Sequence, residues 1–206
     1  MRPDRRALAA QCAARGHDSL TQVARELEQD LRSYWARSGI FGAAAVTPWR
    51  WLSGFADPAL ACVLVHRLAH WAEVRRLPLL PTFLAACNRH LFRITVSPMS
   101  CIGGGWSVRH PAGVHFHGVA GAELTLYAVA SCTADDVPVG RSLEHAPVLG
   151  SRVRLGANAA VVGAVFIGDD VDIGFRTVVE QDLPPNSLAV GESARQQWRR
   201  EAPDLG

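Results

Sequence analysis

The chain has 206 residues, of which 49 % are hydrophobic and 19 % are charged, so it can bury a core without disulfide or metal staples. The low charged fraction leaves surface for contacts with partner subunits. The net charge is +2 and every basic side chain is a scattered arginine, which argues against nucleic-acid binding. No apolar run is long enough to span a membrane, and we expect a cytoplasmic protein.

The N-terminal residues 1–19 are polar and arginine-rich, a composition typical of a disordered segment. From Leu20 apolar side chains recur at helical spacing and predict a helix that ends near Gly39. The stretch 42–51 carries glycine, proline and two tryptophans and is interpreted as a loop.

A second helix is predicted from Asp57, because aspartate is a good N-cap and Pro58 suits the first helical position. This helix is expected to reach about Arg76. Two prolines then precede a third helix that ends near Phe92. Residues 20–93 are therefore expected to form an α-helical domain.

Beyond Thr95 aliphatic residues return every six positions, a period that fits a coil with three short faces. The first series is Val96, Ile102, Val108, Val114, Ala120 and Leu126, and the second is Leu149, Leu155, Val161, Ile167, Ile173 and Val179. The two series are out of register, so residues 131–147 are expected to leave the coil as a loop. Loops of this kind commonly carry function.

The expected fold class is α+β, with a helical N-terminal domain followed by a left-handed parallel β-helix over residues 94–190 and a tail over 191–206. Glycines lie next to the repeat positions at Gly103, Gly156, Gly168 and Gly174. They suit tight corners, where φ is positive or where backbones approach closely.

Several stretches together resemble one branch of a known family. They are Asp57-Pro58-Ala59 before His66-Arg67-Leu-Ala-His70-Trp71, the start of the coil at Ile94–Pro98, the segment Arg109-His110-Pro-Ala-Gly-Val114, and the ending Asp182–Arg195. In these stretches the chain resembles the serine acetyltransferase branch of the hexapeptide-repeat acyltransferases.

This resemblance implies an enzyme in which His110 removes the proton of an acceptor hydroxyl while the oxygen attacks an acyl thioester. The donor would be acetyl-CoA or another acyl-CoA, used as a co-substrate, with no tightly bound cofactor. The site would lie between neighbouring chains of a homotrimer, or of a dimer of trimers, and the protruding loop would supply His145.

The resemblance also places Asp57, Arg109 and Glu144 around the acceptor. The family carries an aspartate before its principal histidine and an arginine before its loop histidine, so Arg109 and Glu144 reverse both charges. The reversal predicts a different small-molecule acceptor, or one held in the opposite sense, such as an amino acid or a derivative from a specialised pathway. Trp106 lies at a corner near the expected pocket and is expected to shape it.

On the donor side, coenzyme A is expected along the C-terminal turns of the coil. Gly156 and Ala157 are small enough there to let the pantetheine arm approach the backbone. Phe175 and Asp172 stand where the family prefers a small residue and a lysine, which disfavours ordinary CoA binding. An acyl carrier protein is the alternative donor.

The carboxylates that orient the two histidines in the family are replaced by Thr95 and Gly118, although such partners normally stabilise the imidazolium. A non-catalytic paralogue that binds a partner enzyme therefore stays open. The spacing of His110, His115 and His117 also resembles zinc-binding γ-carbonic anhydrases. We nevertheless predict no metal ligands, since surface histidines are the simpler interpretation.

Overall fold

The computed structural model describes residues 19–38, 56–134, 143 and 145–191. The expectations for the N-terminal segment 1–18, the loop 42–51, the tail beyond Gly191 and Glu144 lie outside these residues.

The helical half contains α1 (Leu20–Ser38), α2 (Pro58–Val74) and α3 (Leu80–Leu91), in agreement with the three predicted helices. Asp57 is the N-cap of α2, and its Oδ1 accepts a hydrogen bond from the backbone N–H of Ala59 at 2.7 Å. Within the described ranges, the helices are too short or too polar to cross a bilayer.

The rest of the described chain is a left-handed parallel β-helix of fourteen short strands. They are β1 (Thr95–Val96), β2 (Cys101–Ile102), β3 (Ser107–Val108), β4 (His115–Phe116), β5 (Val119–Ala120), β6 (Thr125–Leu126), β7 (Ser131–Thr133), β8 (Val148–Leu149), β9 (Arg154–Leu155), β10 (Ala160–Val162), β11 (Phe166–Ile167), β12 (Asp172–Ile173), β13 (Val178–Val179) and β14 (Leu188–Ala189). Every third strand stacks in the same sheet as far as β13, and β14 pairs with β12, which gives a prism with three faces.

Three sheets form the faces of this prism. Sheet A has the order β1-β4-β7-β10-β13, sheet B the order β11-β8-β5-β2, and sheet C the order β14-β12-β9-β6-β3. We name the edges of the prism by the sheets that they join, so the chain passes the A–B, B–C and C–A edges in each turn.

The core of the coil is a stack of the predicted aliphatic positions. Ile102 lies opposite Ala120 in sheet B, and Val108 lies opposite Leu126 in sheet C. Val114 is buried in this core as predicted, but Phe116, two residues later, and not Val114 lies opposite Val96 in sheet A. The turn between β3 and β4 is longer than the other turns at this edge, and it shifts the register of one strand.

The glycines at the edges are explained by close approach between turns. A Cβ atom added at Gly103 would lie 2.7 Å from the backbone of Gly121, and one added at Gly168 would lie 2.4 Å from Pro185. The four predicted corner glycines do not have a positive φ, whereas polar corner residues such as Asn158 do. Of the two predicted reasons for glycine, close approach is the correct one.

The protruding loop begins later than predicted, because Ser131–Thr133 still forms β7 and the chain re-enters the coil at Val148. Leu143, from the loop, packs against a small apolar cluster of sheet B formed by Cys101, Val119 and Val148. The loop therefore leaves and rejoins the coil at the A–B edge.

A buried ionic network joins the helical domain to the first turn of the coil. Arg67 of α2 donates to both carboxylate oxygens of Asp30 at 2.9 and 3.0 Å and to Glu26 at 3.0 Å. It also donates to the carbonyl oxygens of Ile102 and Gly103. One arginine thus holds α1, α2 and the turn after β2 together.

Candidate functional site

His110 lies in the long turn between β3 and β4, on the C–A edge of the first turn of the coil. The residue is exposed, and the described residues offer its imidazole no hydrogen bond. Its carbonyl oxygen accepts from the N–H of Ala112 at 2.9 Å, which closes the turn. The imidazole is therefore open to a ligand from outside the chain.

Thr95, the predicted replacement for the family's orienting aspartate, lies opposite His115 in sheet A. Gly118 is the predicted replacement for the second carboxylate. A Cβ atom at Gly118 would lie 2.7 Å from the carbonyl oxygen of Pro147, at the base of the loop. The backbone of the loop therefore fills the space that a glutamate at this position would need.

Asp57, which is predicted to contact the acceptor, is bound by Tyr34 of α1. The Tyr34 hydroxyl donates to Oδ2 of Asp57. Burial raises the pKa of Tyr34 to about 12, and the hydrogen bond and charge of Asp57 act in the same direction. The positive charge of Arg109 opposes this shift.

Tyr34 was not predicted as a site residue, although the sequence carries a signal for it. Glu26, Asp30 and Tyr34 recur every four residues along α1, so they share one face of that helix. That face packs against α2 and the coil, where Glu26 and Asp30 bind Arg67.

Trp106 is placed differently from the prediction. Its side chain is 0 % exposed and belongs to the core. Its ring meets that of His66 edge to face, with centroids 5.2 Å apart, and its backbone N–H donates to Asp30 at 2.8 Å. Trp106 packs in the core, and its side chain cannot contact an acceptor.

A groove of about 480 Å³ runs along the outer face of sheet C from Arg109. Its lining consists of charged and hydroxyl-bearing side chains, namely Arg109, Glu123, Thr125, Tyr127, Arg152, Arg154, Asp170 and Asp172. The groove connects Arg109 to the later turns of the coil.

Asp172, predicted to repel a CoA donor, is neutralised in this groove. Both of its oxygens accept from the guanidinium of Arg154. The neighbouring pair, Arg152 and Asp170, is bidentate in the same way, at 2.6 Å for each bond, and the hydrogen bond from Arg152 lowers the pKa of Asp170. The charge of Asp172 alone therefore does not exclude an anionic donor.

Of the three residues predicted to contact the donor, Phe175 presents the largest accessible side chain. It is 71 % exposed and meets Tyr127 edge to face at 6.4 Å. Gly156 is buried, and a Cβ atom there would lie 2.9 Å from the backbone of Gly174. Its N–H already donates to Ile173, so stacking of the turns accounts for this glycine.

His145 is exposed at the end of the loop, on the A–B edge of the third turn. His110 is on the C–A edge of the first turn, so one chain does not bring the two histidines together. No set of three potential metal ligands occurs among the residues that the structure describes. His115 is exposed and His117 is buried, and the zinc-enzyme alternative is not favoured.

No protein-family model matches the chain. Over 140 residues the chain is 36 % identical to a serine acetyltransferase of Helicobacter pylori, an alignment that covers 67 % of this chain and 80 % of that protein. It is 34 % identical over 139 residues to a serine acetyltransferase of Mycobacterium tuberculosis, covering 66 % of this chain and 59 % of that protein.

Solved structures give the same picture of the fold. The serine acetyltransferase of Neisseria gonorrhoeae superposes with a TM-score of 0.72 at 23 % identity, over 88 % of this chain and 68 % of that one. Isoform 3 from Entamoeba histolytica, in complex with cysteine, gives a TM-score of 0.71 at 21 % identity, over 87 % of this chain. The chain spans 62 % of the Entamoeba protein's length.

Proposed function

The chain belongs to the serine acetyltransferase family, and we propose that it transfers an acyl group from a CoA thioester to the hydroxyl or amine of a small polar acceptor. The observation that carries the proposal is the position of His110. An exposed imidazole lies next in sequence to Arg109, and Arg109 lines the groove on the outer face of sheet C. Together with the carboxylate of Asp57, these residues supply a base and groups of both charges that can hold an acceptor.

In the proposed reaction the neutral imidazole of His110 removes the proton from the acceptor hydroxyl as its oxygen attacks the thioester carbonyl carbon. The new C–O bond forms and the C–S bond breaks. The imidazolium then returns its proton to the departing thiolate, so the products are an acyl ester and free CoA. An amine acceptor would give an amide by the same steps.

The acceptor is proposed to be an amino acid or a close derivative. Asp57 supplies a carboxylate for an ammonium group, and Arg109 supplies a guanidinium for a carboxylate. The charge at position 109 is opposite to that expected from the family, which supports an acceptor held in the reverse sense. Glu144 is proposed as a further contact from the loop.

The donor is proposed to enter along the C–A edge and the adjoining groove on sheet C. Pairing of Asp172 with Arg154 supports a CoA thioester, because it lowers the negative charge that phosphates would meet. The exposed Phe175 favours a donor displaced from the backbone. An acyl chain on a carrier protein is the alternative, since its pantetheine arm would reach the same edge.

His145 is proposed to act from a neighbouring chain of a homotrimer. The two histidines lie on different edges and on different turns of one coil, so a loop from a second chain is needed to place His145 beside His110. In a cyclic trimer each C–A edge can meet the A–B edge of the next chain.

The test is release of free thiol from acetyl-CoA with a panel of amino acids, hydroxy amines and amino sugars. Acceptor-dependent release that is lost in His110→Asn would support the proposal. Thiol release only from an acyl carrier protein would mean that the carrier protein, and not acetyl-CoA, is the donor. Silence with both donors, in a protein that retains its fold, would instead favour the non-catalytic paralogue.

A further inference from the structure

Sheet A presents an outer face without acidic side chains or arginines along its strands. Its inward side chains, such as Phe116 and Val161, are buried in the core, so the residues that alternate with them point outwards. The outward positions, in register from β1 to β13, are Thr95, His115, Ser131, Ala160 and Val178, with Thr133 opposite Val162. None of these residues is an aspartate, a glutamate or an arginine.

The other two sheets differ from sheet A. Sheet C carries the ion pair of Arg154 with Asp172 on its outer face, and Leu143 of the loop packs against sheet B. Burial of a charged face is costly, because ionic side chains lose their water. Sheet A is therefore the face on which another protein surface can pack without this cost.

Helix α3 spans the same two edges of the prism as sheet A. Near the end of α2, Nδ1 of His70 lies 2.8 Å from the carbonyl oxygen of Pro98, at the A–B edge. After α3, the carbonyl oxygen of Arg93 accepts from the N–H of Gly113 at 2.9 Å, at the C–A edge. The chain thus crosses from the A–B edge to the C–A edge along α3 and returns along β1.

The exposed side of α3 is apolar. Phe83, Cys87 and Leu91 recur every four residues, so they share one side of the helix. Phe83 is 64 % exposed and Leu91 is 71 % exposed, whereas Asn88 faces α2 and donates to the carbonyl oxygen of Cys62 at 3.1 Å. A row of large apolar side chains that faces solvent is typical of a contact surface.

We propose that α3 and the outer face of sheet A form the contact between copies of this chain, and that they face the symmetry axis in a ring of three. Sheet A lies between the two edges that carry the candidate histidines, with His110 on the C–A edge and His145 on the A–B edge. When the C–A edge of one chain meets the A–B edge of the next, the sheet between these edges turns towards the axis. The inference rests on the proposed function, because it takes His145 to act across chains.

The experiment is sedimentation equilibrium of the full chain with a matched pair of variants near the end of the coil. Val178→Glu places a charge on sheet A, where the native side chain is 60 % exposed, and Leu188→Glu places one on sheet C, where it is 67 % exposed. Both positions face solvent in the single chain, so equal melting temperatures check that both variants fold. On α3, Phe83→Glu and its exposed neighbour Thr82→Glu form a second pair.

We expect the original chain to sediment with three times the mass of one chain. Val178→Glu and Phe83→Glu should dissociate at protein concentrations at least about tenfold higher, because each trimer would bring three carboxylates together at its axis. Leu188→Glu and Thr82→Glu should assemble like the original chain.

The proposal is overturned if the original chain does not form a trimer, or if Leu188→Glu dissociates the trimer as readily as Val178→Glu. The measured mass does not depend on catalysis, so the two proposals can fail separately. The expected pattern without thiol release would support the interface and remove the proposed function. A single chain that releases thiol would overturn the interface and leave acyl transfer intact.

Discussion

Arg67 donates two hydrogen bonds to the carboxylate of Asp30, at 2.9 and 3.0 Å, and both side chains are almost completely buried. Burial raises the pKa of Asp30, and the adjacent guanidinium opposes this shift. The pair joins α1 to α2, and the remaining donors of Arg67 bind carbonyl groups of the coil. The junction between the two halves of the chain therefore depends on one cation.

Arg67→Ala should destabilise the protein by about 3–5 kcal/mol, because it leaves two buried carboxylates without their partner. Urea unfolding followed by circular dichroism measures the loss. Arg32→Ala, which removes an exposed pair with Glu28, should change stability by about 0.5 kcal/mol or less. Similar losses for both variants would show that the network does not hold the junction.

Gly118→Glu should not restore the missing carboxylate partner of the loop histidine. The carbonyl oxygen of Pro147 would lie 2.7 Å from the new Cβ atom, so the loop base or the strand must shift. We expect a lower melting temperature and no gain in kcat, with Gly118→Ala lowering the melting temperature in the same direction. A stable and faster Gly118→Glu enzyme would refute this interpretation.

Tyr34 should ionise late in an alkaline titration. Its pKa is raised from 10.0 to about 12, so between these values the folded protein holds a proton that the unfolded chain has lost. This contribution to stability is complete below the lower value and disappears as the pH rises to the upper one. Tyrosinate absorbance should show a late component that Tyr34→Phe lacks, and its presence in that variant would exclude this assignment.

Mixing two inactive variants should recover activity if neighbouring chains share the site. His110→Ala and His145→Ala each remove one histidine. In a mixed trimer, an intact pair forms wherever the interface takes His110 from a His145→Ala chain and His145 from a His110→Ala chain. Random assembly from equal amounts predicts about a quarter of the original activity. Recovery is measured after joint refolding, and none at all would mean that His145 does not act across the interface.

Phe175→Ala should lower the KM for acetyl-CoA several-fold and leave the acceptor KM unchanged. The ring is 71 % exposed on the edge assigned to the donor, so its removal opens space at little cost to folding. The edge-to-face contact with Tyr127 is worth only about 0.5–1.5 kcal/mol. A higher KM for acetyl-CoA would mean that the donor packs on the ring.

Much of the fold could be predicted, because an aliphatic residue recurs every six positions, once for each face of the coil. The exception is Val114, in the turn around His110. This turn is longer than the others at its edge, so the strand that follows is shifted in register, and the residue in the stacked position is still hydrophobic. The N-cap at Asp57 was predictable because its signal is local in sequence.

The site was less predictable, because its contacts join distant segments. Tyr34 meets Asp57 only when α1 packs beside the start of α2, and Arg154 meets Asp172 only when two turns stack. The position of Trp106 at a corner of the coil suggested that it shapes the pocket, but its side chain lies inside the core. Sequence spacing alone does not tell an edge residue that faces inward from one that faces a ligand.

The most direct test of acyl transfer is joint measurement of free thiol and acylated acceptor from acetyl-CoA and L-serine, with His110→Asn as the comparison. We expect one acylated acceptor for each thiol released, and a rate about 10²- to 10⁴-fold lower in His110→Asn. Equal rates in the two proteins, or thiol release without an acylated acceptor, would contradict the role of His110 as the general base.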